Sequence, residues 1–282
     1  MKSITPALIR RVIRPRQAQS YKGTYGRILI VGGNARFGGA AILSASAAVY
    51  AGGGLVSVAT DRVNRDALHA RLPEAMIIPY DDPAYIQLLA TMDVIVIGPG
   101  LGTEAFALQL LTATFAAIRP QQTLIIDGSA ITLVAQHQLT LPKAQLVWTP
   151  HQMEWQRLSG IAIAEQTPAA NQFAAAKLPG TVIVKSHRTE IFTPTDAYQN
   201  PVGSAAMATG GSGDTLTGII AAFIGQFGYH DDTILAAVYT HSAVADAVAT
   251  THYVALPSMV ITELPRYMAK ISTLPLDESS RH

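Results

Sequence analysis

The chain has 282 residues, of which 49% are hydrophobic and 14% are charged, and its net charge is +1. It contains no cysteine, which excludes disulfides, thiolate metal sites and a cysteine nucleophile. A chain of this length and apolar content can bury the core of one large α/β domain.

The N-terminal segment, residues 1–20, opens a stretch that is basic throughout. Eight Lys or Arg residues and no acidic residue precede Asp61. Such a start occurs in transit peptides, but we favour a short surface helix over residues 3–14 that ends at Pro15, because the ordered pattern begins soon afterwards. The positive bias is not repeated later in the chain, so we expect no nucleic-acid partner.

Residues 37–60 carry no charge and would be long enough to cross a membrane. Three consecutive glycines, Gly52, Gly53 and Gly54, interrupt this stretch, and alanine outnumbers leucine in it. We therefore predict a buried helix, a turn and a buried strand here. The protein is expected to be cytoplasmic, with no membrane partner.

Short apolar runs alternate with helical patterns along the chain. Strands are predicted over residues 27–31, 55–59, 75–79, 94–97, 124–126, 146–148, 181–185 and 189–192. Helices are predicted over residues 40–51, 63–71, 83–90, 104–118, 153–158, 168–177, 215–226, 232–249 and 257–269. Continuous apolar strands that alternate with helices are typical of a parallel sheet covered on both faces. The prediction is one three-layer α/β domain over residues 1–282, with a frayed tail at 275–282.

Glycine-rich and polar stretches follow several predicted strands. GGNARFGG follows the first strand, GPGLG follows VIVI, and KSHRT overlaps the end of TVIVK. Asp127 and His151 each come shortly after another strand. Ligands of such sheets bind beyond the carboxyl ends of the strands, so these stretches predict one crevice.

The stretch MATGGSGDTLTGII, residues 207–220, has the strongest chemical content. A glycine-rich turn that opens into a helix directs free N–H groups and the helix dipole at an anion. Gly210, Gly211 and Gly213 let the anion approach the backbone closely. Asp214 would repel a phosphate, but it suits a base that takes a proton from a hydroxyl during phosphoryl transfer. The alternative is an ordinary capped turn.

The first glycine-rich loop matches neither common nucleotide motif. Gly39 and Ala40 stand where a Walker loop needs Lys and Ser or Thr, and the GxGxxG spacing is missing. Asp61, at the end of the second strand, is nevertheless placed like a ribose-binding acid. A conventional NAD oxidoreductase is therefore not favoured.

Two further groups of side chains lie at the predicted crevice. Glu154 lies one helical turn after His151, so the two could touch the same ligand, or Glu154 could hold Mg²⁺ through water. The alternatives are that His151 is a structural histidine and that Glu154 is an ordinary acid in the first turn of a helix. The KSHRT segment is a cationic cluster suited to a nucleotide phosphate, or else a charged hairpin tip. His241 and Asp246 are interpreted as structural or surface groups on a helix.

Six motifs, taken in order, resemble the nucleotide-dependent NAD(P)H-hydrate dehydratases of the ribokinase-like superfamily. The resemblance covers about residues 21–268. The motifs are KGTYGRILIVGG, FGGAAILSASAAVYAGGGLVSVAT, DVIVIGPGLG, TPHQMEWQRLSG, TVIVKSHRT and MATGGSGDTLTGII.

The resemblance implies a ribokinase-like fold and a metabolite-repair lyase. Its members restore NADH or NADPH from the S-form of the hydrated cofactor: ADP or ATP phosphorylates the added hydroxyl, and phosphate is then lost. Mg²⁺ is expected without a dedicated protein cage, with Glu154 at the acidic position. Asp214 would be the base. Gly211, Ser212 and Gly213 would form the anion hole; Lys185, Ser186, His187, Arg188, Thr189 and Gly213 would bind the nucleotide; Ala40, Gly102, His151 and Asp214 would contact the hydrated cofactor.

The chain departs from the family pattern at two places. It has Gln152 and Met153 where the family often has Pro and Gly, and Ala206 where the family often has Gly. The resemblance further implies a homotetramer that acts with a separate epimerase. A small-alcohol kinase of the thiamine-precursor type and a catalytically silent nucleotide-binding module remain as alternatives. The choice between ADP and ATP, and between the two hydrates, is left open.

Overall fold

A ten-stranded sheet runs through the middle of the molecule, which is a computed structural model that describes residues 1–275. In chain order the strands are β1 Lys2–Ser3, β2 Arg27–Val31, β3 Leu55–Thr60, β4 Met76–Pro79, β5 Val94–Ile97, β6 Thr123–Ile126, β7 Gln145–Trp148, β8 Thr181–Val184, β9 Glu190–Phe192 and β10 Ala197–Gln199. Their order across the sheet is β1-β10-β9-β8-β7-β6-β5-β2-β3-β4. The strands from β2 to β8 are parallel, and β9 is antiparallel to both of its neighbours.

Helices cover both faces of this sheet. They are α1 Pro6–Val12, α2 Gly38–Tyr50, α3 Arg65–Arg71, α4 Tyr85–Leu89, α5 Ala105–Ala117, α6 Gly128–His137, α7 Gln152–Ser159, α8 Pro168–Ala175, α9 Ser212–Phe227, α10 Asp231–Ala249 and α11 Pro257–Ser272. Alternate residues of β2 enter two separate cores: Ile28 and Ile30 pack toward α2 and α9, whereas Leu29 and Val31 pack toward α5 and α6. Both faces of the strand are buried, which explains its uninterrupted apolar sequence. The predicted three-layer, mostly parallel α/β fold is confirmed.

The direction of chain progression reverses at β2. From β2 the chain moves to β3 and β4 on one side, and it then returns to β5 on the other side. Such a reversal opens a crevice at the carboxyl ends of the two neighbouring strands. The loops after β2 and β5 meet there: the N–H of Gly33 donates to Pro99 O at 2.8 Å, and the N–H of Asn34 donates to Gly100 O at 2.8 Å.

Helix α2 packs directly against α9 with little side-chain volume between them. Gly218 of α9 lies against the carbonyl oxygen of Ser44, where a Cβ atom would collide with that oxygen. The hydroxyls of Ser44 and Thr217 are 3.0 Å apart in the same buried contact. The small residues of both helices therefore let two backbones approach closely.

Several sequence predictions differ from the structure. Helix α6 and strand β10 were not predicted, and α6 was overlooked because it begins with Gly128 and Ser129, a pair that is typical of a turn. The N-terminal helix was predicted over residues 3–14, but it spans Pro6–Val12 and follows strand β1, which pairs with β10. The predicted frayed tail, residues 275–282, lies outside the described residues except for residue 275.

The uncharged stretch at residues 37–60 forms α2, a glycine turn and β3, as predicted. Within residues 1–275, no helix combines the length and the apolar character that a membrane span needs.

Candidate active site

The glycine-rich turn before α9 has the geometry of an anion site. Gly211 is the N-cap of α9 and has φ +92°, a left-handed conformation that favours glycine. The N–H of Thr215 bonds back to Gly211 O at 3.0 Å, which closes the first turn. The N–H groups of Ser212, Gly213 and Asp214 precede that bond and have no acceptor within the helix. They provide a donor set for an oxyanion at the positive end of the helix dipole.

Asp214 is in this first turn, and burial raises the pKa of its carboxyl to about 6. The charges of Asp127 and Glu154 contribute to this rise, and the charge of Lys185 opposes it. A carboxylate with a pKa near 6 is ionised at neutral pH and is a stronger base than an ordinary aspartate. This group can therefore accept a proton from a hydroxyl.

Lys185 lies beside Asp214 and forms an ion pair with Asp127. Its Nζ atom is 2.7 Å from Asp127 Oδ1, and the hydroxyl of Thr149 donates to the same oxygen at 2.7 Å. Burial lowers the pKa of Lys185, but the charges of Asp127 and Glu154 outweigh burial, so the net shift is upward. The lysine is therefore a fixed cation next to the candidate base.

His151 and Glu154 form a reciprocal cap at the start of α7. The backbone N–H of His151 donates to Glu154 Oε2 at 2.8 Å, and His151 Nδ1 accepts from the N–H of Met153 and of Glu154. The ring proton therefore belongs on Nε2, which lies 3.1 Å from Glu154 Oε1. Burial raises the pKa of Glu154, but its bonds to His151 and the charge of Lys185 lower it more. The sequence Gln152-Met153 thus still permits a regular, capped helix start.

A cavity of about 500 Å³ opens beside the glycine-rich turn. It has apolar walls from Val202, Met207 and Leu216. The predicted nucleotide-binding residues that line it are Lys185, Ser186, His187, Thr189 and Gly213, together with the predicted anion-hole residue Ser212 and the predicted cofactor contact His151. Its size and its mixture of apolar walls and convergent polar groups are typical of a small-molecule site.

Arg188 has a different position from its neighbours in KSHRT. The segment connects the antiparallel strands β8 and β9, so it is a hairpin tip as well as a wall of the cavity. Arg188 Nη1 donates to the carbonyl oxygen of Gly203 at 2.9 Å, and Asp246 Oδ2 accepts from the N–H of Gly203 at 2.8 Å. The arginine thus holds the cavity wall at Gly203, where φ is +116°.

Two residues were missed as site components by the sequence reasoning. Asp127 was noted only for following a strand, yet it pairs with Lys185. His241, interpreted from the sequence as a structural or surface group, is only 5% exposed and lines the cavity together with Ser212. Burial lowers the pKa of His241 to about 4, so the ring is neutral. No local pattern signals these contacts, because each joins segments far apart in the sequence.

Ala40 and Gly102, the other two predicted cofactor contacts, lie at the chain reversal rather than in the 500 Å³ cavity. Ala40 is in the first turn of α2, with its Cβ beside Gly100. The N–H of Gly102 donates to Ser129 Oγ at 3.1 Å. These two positions belong to the joined loops after β2 and β5. The predicted site residues therefore fall into two neighbouring groups along one edge of the sheet.

A mostly parallel sheet with a glycine-rich turn and a half-buried aspartate at its carboxyl edge is the arrangement of the ribokinase-like class. A solved ribokinase-like superfamily protein from Enterococcus faecalis has the same fold, with a TM-score of 0.94 and 46% identity over 97% of each chain. The sequence model of the NAD(P)H-hydrate dehydratases matches residues 28–266. The chain therefore belongs to the NAD(P)H-hydrate dehydratase family, as its motifs predicted.

Two relatives carry more specific descriptions. An ADP-dependent (S)-NAD(P)H-hydrate dehydratase from Lactiplantibacillus plantarum is 54% identical over 275 residues, which are 97% of this chain and 99% of the relative. The solved ADP/ATP-dependent NAD(P)H-hydrate dehydratase from Bacillus subtilis, co-crystallised with ATP and Mg²⁺, is 28% identical with a TM-score of 0.85 over 96% of this chain and 98% of that one.

Proposed function

We propose that the protein is an ADP-dependent dehydratase that restores NADH and NADPH from the S-form of their hydrates. The observation that carries this proposal is the half-buried Asp214, which lies in the first turn of α9 directly beside a set of N–H donors. A base and an anion site in one turn suit the transfer of a phosphoryl group to a hydroxyl.

Two steps follow from this arrangement. The hydroxyl oxygen of the hydrate attacks the terminal phosphorus of the nucleotide, Asp214 takes the hydroxyl proton, and the bond to the leaving nucleotide breaks. The N–H groups of Ser212 and Gly213 and the cation of Lys185 stabilise the charge on the transferred group. Loss of the new phosphate together with a neighbouring ring proton then restores the ring double bond.

The two ligands occupy different parts of the edge in this proposal. The adenine nucleotide binds in the 500 Å³ cavity, where Ser186, His187 and Thr189 are available to it. The hydrated cofactor lies across Ala40 and Gly102 and places its nicotinamide end between His151 and Asp214. Arg188 supports the nucleotide through Gly203 rather than by touching a phosphate.

Magnesium fits this site only as an ion held mainly by the phosphates. Within residues 1–275, no group of three or more His, Asp or Glu side chains could enclose a metal ion. Both oxygens of Glu154 already accept bonds from His151, and the residue is only 5% exposed, so we place this carboxylate next to the ion through a bound water. When bound there, Mg²⁺ would neutralise phosphate charge.

The test is to mix the protein with hydrated NADH, Mg²⁺ and either ADP or ATP. We expect the absorbance of NADH to return with release of one equivalent of phosphate, and faster with ADP. A stable phosphoester without NADH would instead indicate a small-alcohol kinase, and no reaction would indicate a silent nucleotide-binding module. Light scattering on the same sample tests the proposed homotetramer. The proposed epimerase partner is tested with the R-form of the hydrate, which should be consumed only after an epimerase is added.

A further inference from the structure

A second hollow lies at the same edge of the sheet, on the far side of the chain reversal. It encloses about 280 Å³ and is lined by Arg36, Asp61, Tyr80, Glu104 and Phe106, with Leu101 at its floor. We refer to it as the outer crevice. None of its charged or aromatic side chains has a role in the proposed phosphoryl transfer.

The position of the outer crevice relates it to the hydrated cofactor. Asp61 and Tyr80 follow β3 and β4, whereas Asp127 and His151 follow β6 and β7. Three strand spacings, about 14 Å, separate β3 from β6. Ala40 and Gly102 lie between, since the loops after β2 and β5 fill that interval. A dinucleotide that reaches Asp214 at one end and crosses these loops therefore arrives at the outer crevice with its other end.

Asp61 has the chemistry to bind a ribose there. Its Oδ1 accepts the N–H of Val63 at 3.0 Å, and its Oδ2 accepts the hydroxyl of Tyr80 at 3.1 Å. A carboxylate offers about four acceptor positions, so two remain for a ligand. In dinucleotide-binding sheets, an acid that follows the strand next to the one before the glycine-rich loop accepts the 2′-hydroxyl of the adenosine ribose. Asp61 has this position, because β3 pairs with β2.

The crevice also offers a surface for a flat base. The rings of Tyr80 and Phe106 are in contact, with centroids 4.9 Å apart, and Phe106 is 42% exposed. Stacking on an aromatic side chain contributes binding energy for any nucleobase. Phe106 stands at the start of α5, next to Glu104, so the base and the ribose would have separate partners within one hollow.

The charges around the crevice disfavour an additional phosphate. Asp61 and Glu104 supply two carboxylates, and Arg36 supplies one exposed cation. A phosphate on the 2′ oxygen would replace a hydrogen-bond donor by an anion at the position facing Asp61. Like charges at short distance oppose binding, even where solvent weakens the effect.

We propose that the outer crevice binds the adenosine half of the hydrated dinucleotide, with Asp61 at the ribose 2′-hydroxyl, and that the chain consequently prefers the hydrate of NADH to the hydrate of NADPH. This inference rests on the proposed function, because it assumes that the nicotinamide end lies at Asp214.

The experiment compares Asp61→Asn with Asp66→Asn. Asparagine at residue 61 keeps an oxygen that can accept the N–H of Val63, but it removes the negative charge. Asp66 on α3 is 94% exposed, so Asp66→Asn serves as the matched control for loss of one charge. We expect the ratio of kcat/KM for hydrated NADH over hydrated NADPH to exceed one in the unaltered protein. It should fall about tenfold in Asp61→Asn and remain unchanged in Asp66→Asn. Phe106→Ala should lower kcat/KM for both hydrates by the same factor, because both carry the same adenine base.

Binding of the products, NADH and NADPH, followed by their fluorescence, provides a readout that needs no turnover. Asp61→Asn should reduce the preference for NADH over NADPH in Kd as it does in kcat/KM, whereas Asp66→Asn and Phe106→Ala should leave the ratio of the two Kd values unchanged. If the protein bound both cofactors with the expected ratio but dehydrated neither hydrate, the proposed function would fail while the inference stood. An unchanged ratio in Asp61→Asn, in a variant that keeps the melting temperature of the unaltered protein, would overturn the inference.

Discussion

Lys185 Nζ lies 2.7 Å from Asp127 Oδ1, and the two side chains are only 18% and 4% exposed. This buried ion pair adjoins Asp214, and its two members act on the pKa of that carboxyl in opposite directions. Removing one member leaves the other as an uncompensated buried charge. The pair therefore controls how strong a base Asp214 can be, in addition to any contact with a phosphate.

The pH dependence of kcat/KM should report this control. Asp214 accepts a proton only when ionised, so the rate should fall as the pH drops through its pKa of about 6. Asp127→Asn removes a charge that raises this pKa and leaves Lys185, which lowers it, without its partner. The acid limb of the profile should therefore move to lower pH. A limb that moved to higher pH would contradict this account, and Asp66→Asn provides the control for a change of net charge.

Asp214→Asn should separate binding from chemistry. The amide cannot take the hydroxyl proton, so turnover should drop by about two to four orders of magnitude. The Kd for ADP should change little, because the cavity proposed to bind the nucleotide is lined by Ser212 and Gly213 rather than by this side chain. Both are measured on one preparation by single-turnover absorbance and by calorimetry. Near-normal turnover would remove Asp214 from the role of base.

Arg188 and Asp246 should act on nucleotide binding as one unit. Both hold Gly203, one through its carbonyl oxygen and the other through its N–H. Arg188→Ala and Asp246→Asn should each weaken ADP binding, and the double variant should be no weaker than the worse single variant. Lys185→Ala should instead reduce kcat. Additive losses with a strong salt dependence would mean that Arg188 contacts a phosphate directly.

His241 should make stability depend on pH. Burial and then the charge of Lys185 lower its pKa to about 4 in the folded protein, against 6.5 for the free side chain. The unfolded chain therefore binds the extra proton first, and the folded state loses up to about 3 kcal/mol as the pH falls from about 6.5 to 4. His241→Gln should not show this loss of stability. The check is to measure the free energy of unfolding of the unaltered protein and of the variant at each pH. Parallel curves for the two proteins would refute the assignment.

The sequence predicted the fold well because most strands are buried on both faces and appear as continuous apolar runs, such as residues 94–97. It also predicted which residues lie at the carboxyl edge, since a parallel sheet brings all strand ends together. Helix α6 was not predicted because it begins with Gly128 and Ser129, which are residues typical of turns.

Pairings between distant segments could not be predicted in the same way. Lys185 looked like one member of a cationic cluster, but it points at Asp127, 58 residues earlier in the chain. Arg188, which we predict to bind the nucleotide, also donates to the carbonyl oxygen of Gly203, a contact that its sequence neighbours do not signal. Such contacts depend on side-chain directions fixed by tertiary packing, which local periodicity and propensity do not encode.

The close contact between α2 and α9 has a consequence for the two substrates. In the proposed arrangement, Ala40 at the start of α2 contacts the hydrated cofactor, and the glycine-rich turn at the start of α9 contacts the nucleotide. Gly218 touches Ser44 one helical turn beyond Asp214, so the absence of a side chain there lets α2 and α9 approach and would set the distance between the two proposed ligands. A single methyl group at residue 218 would act as a spacer that slows the reaction without touching either ligand.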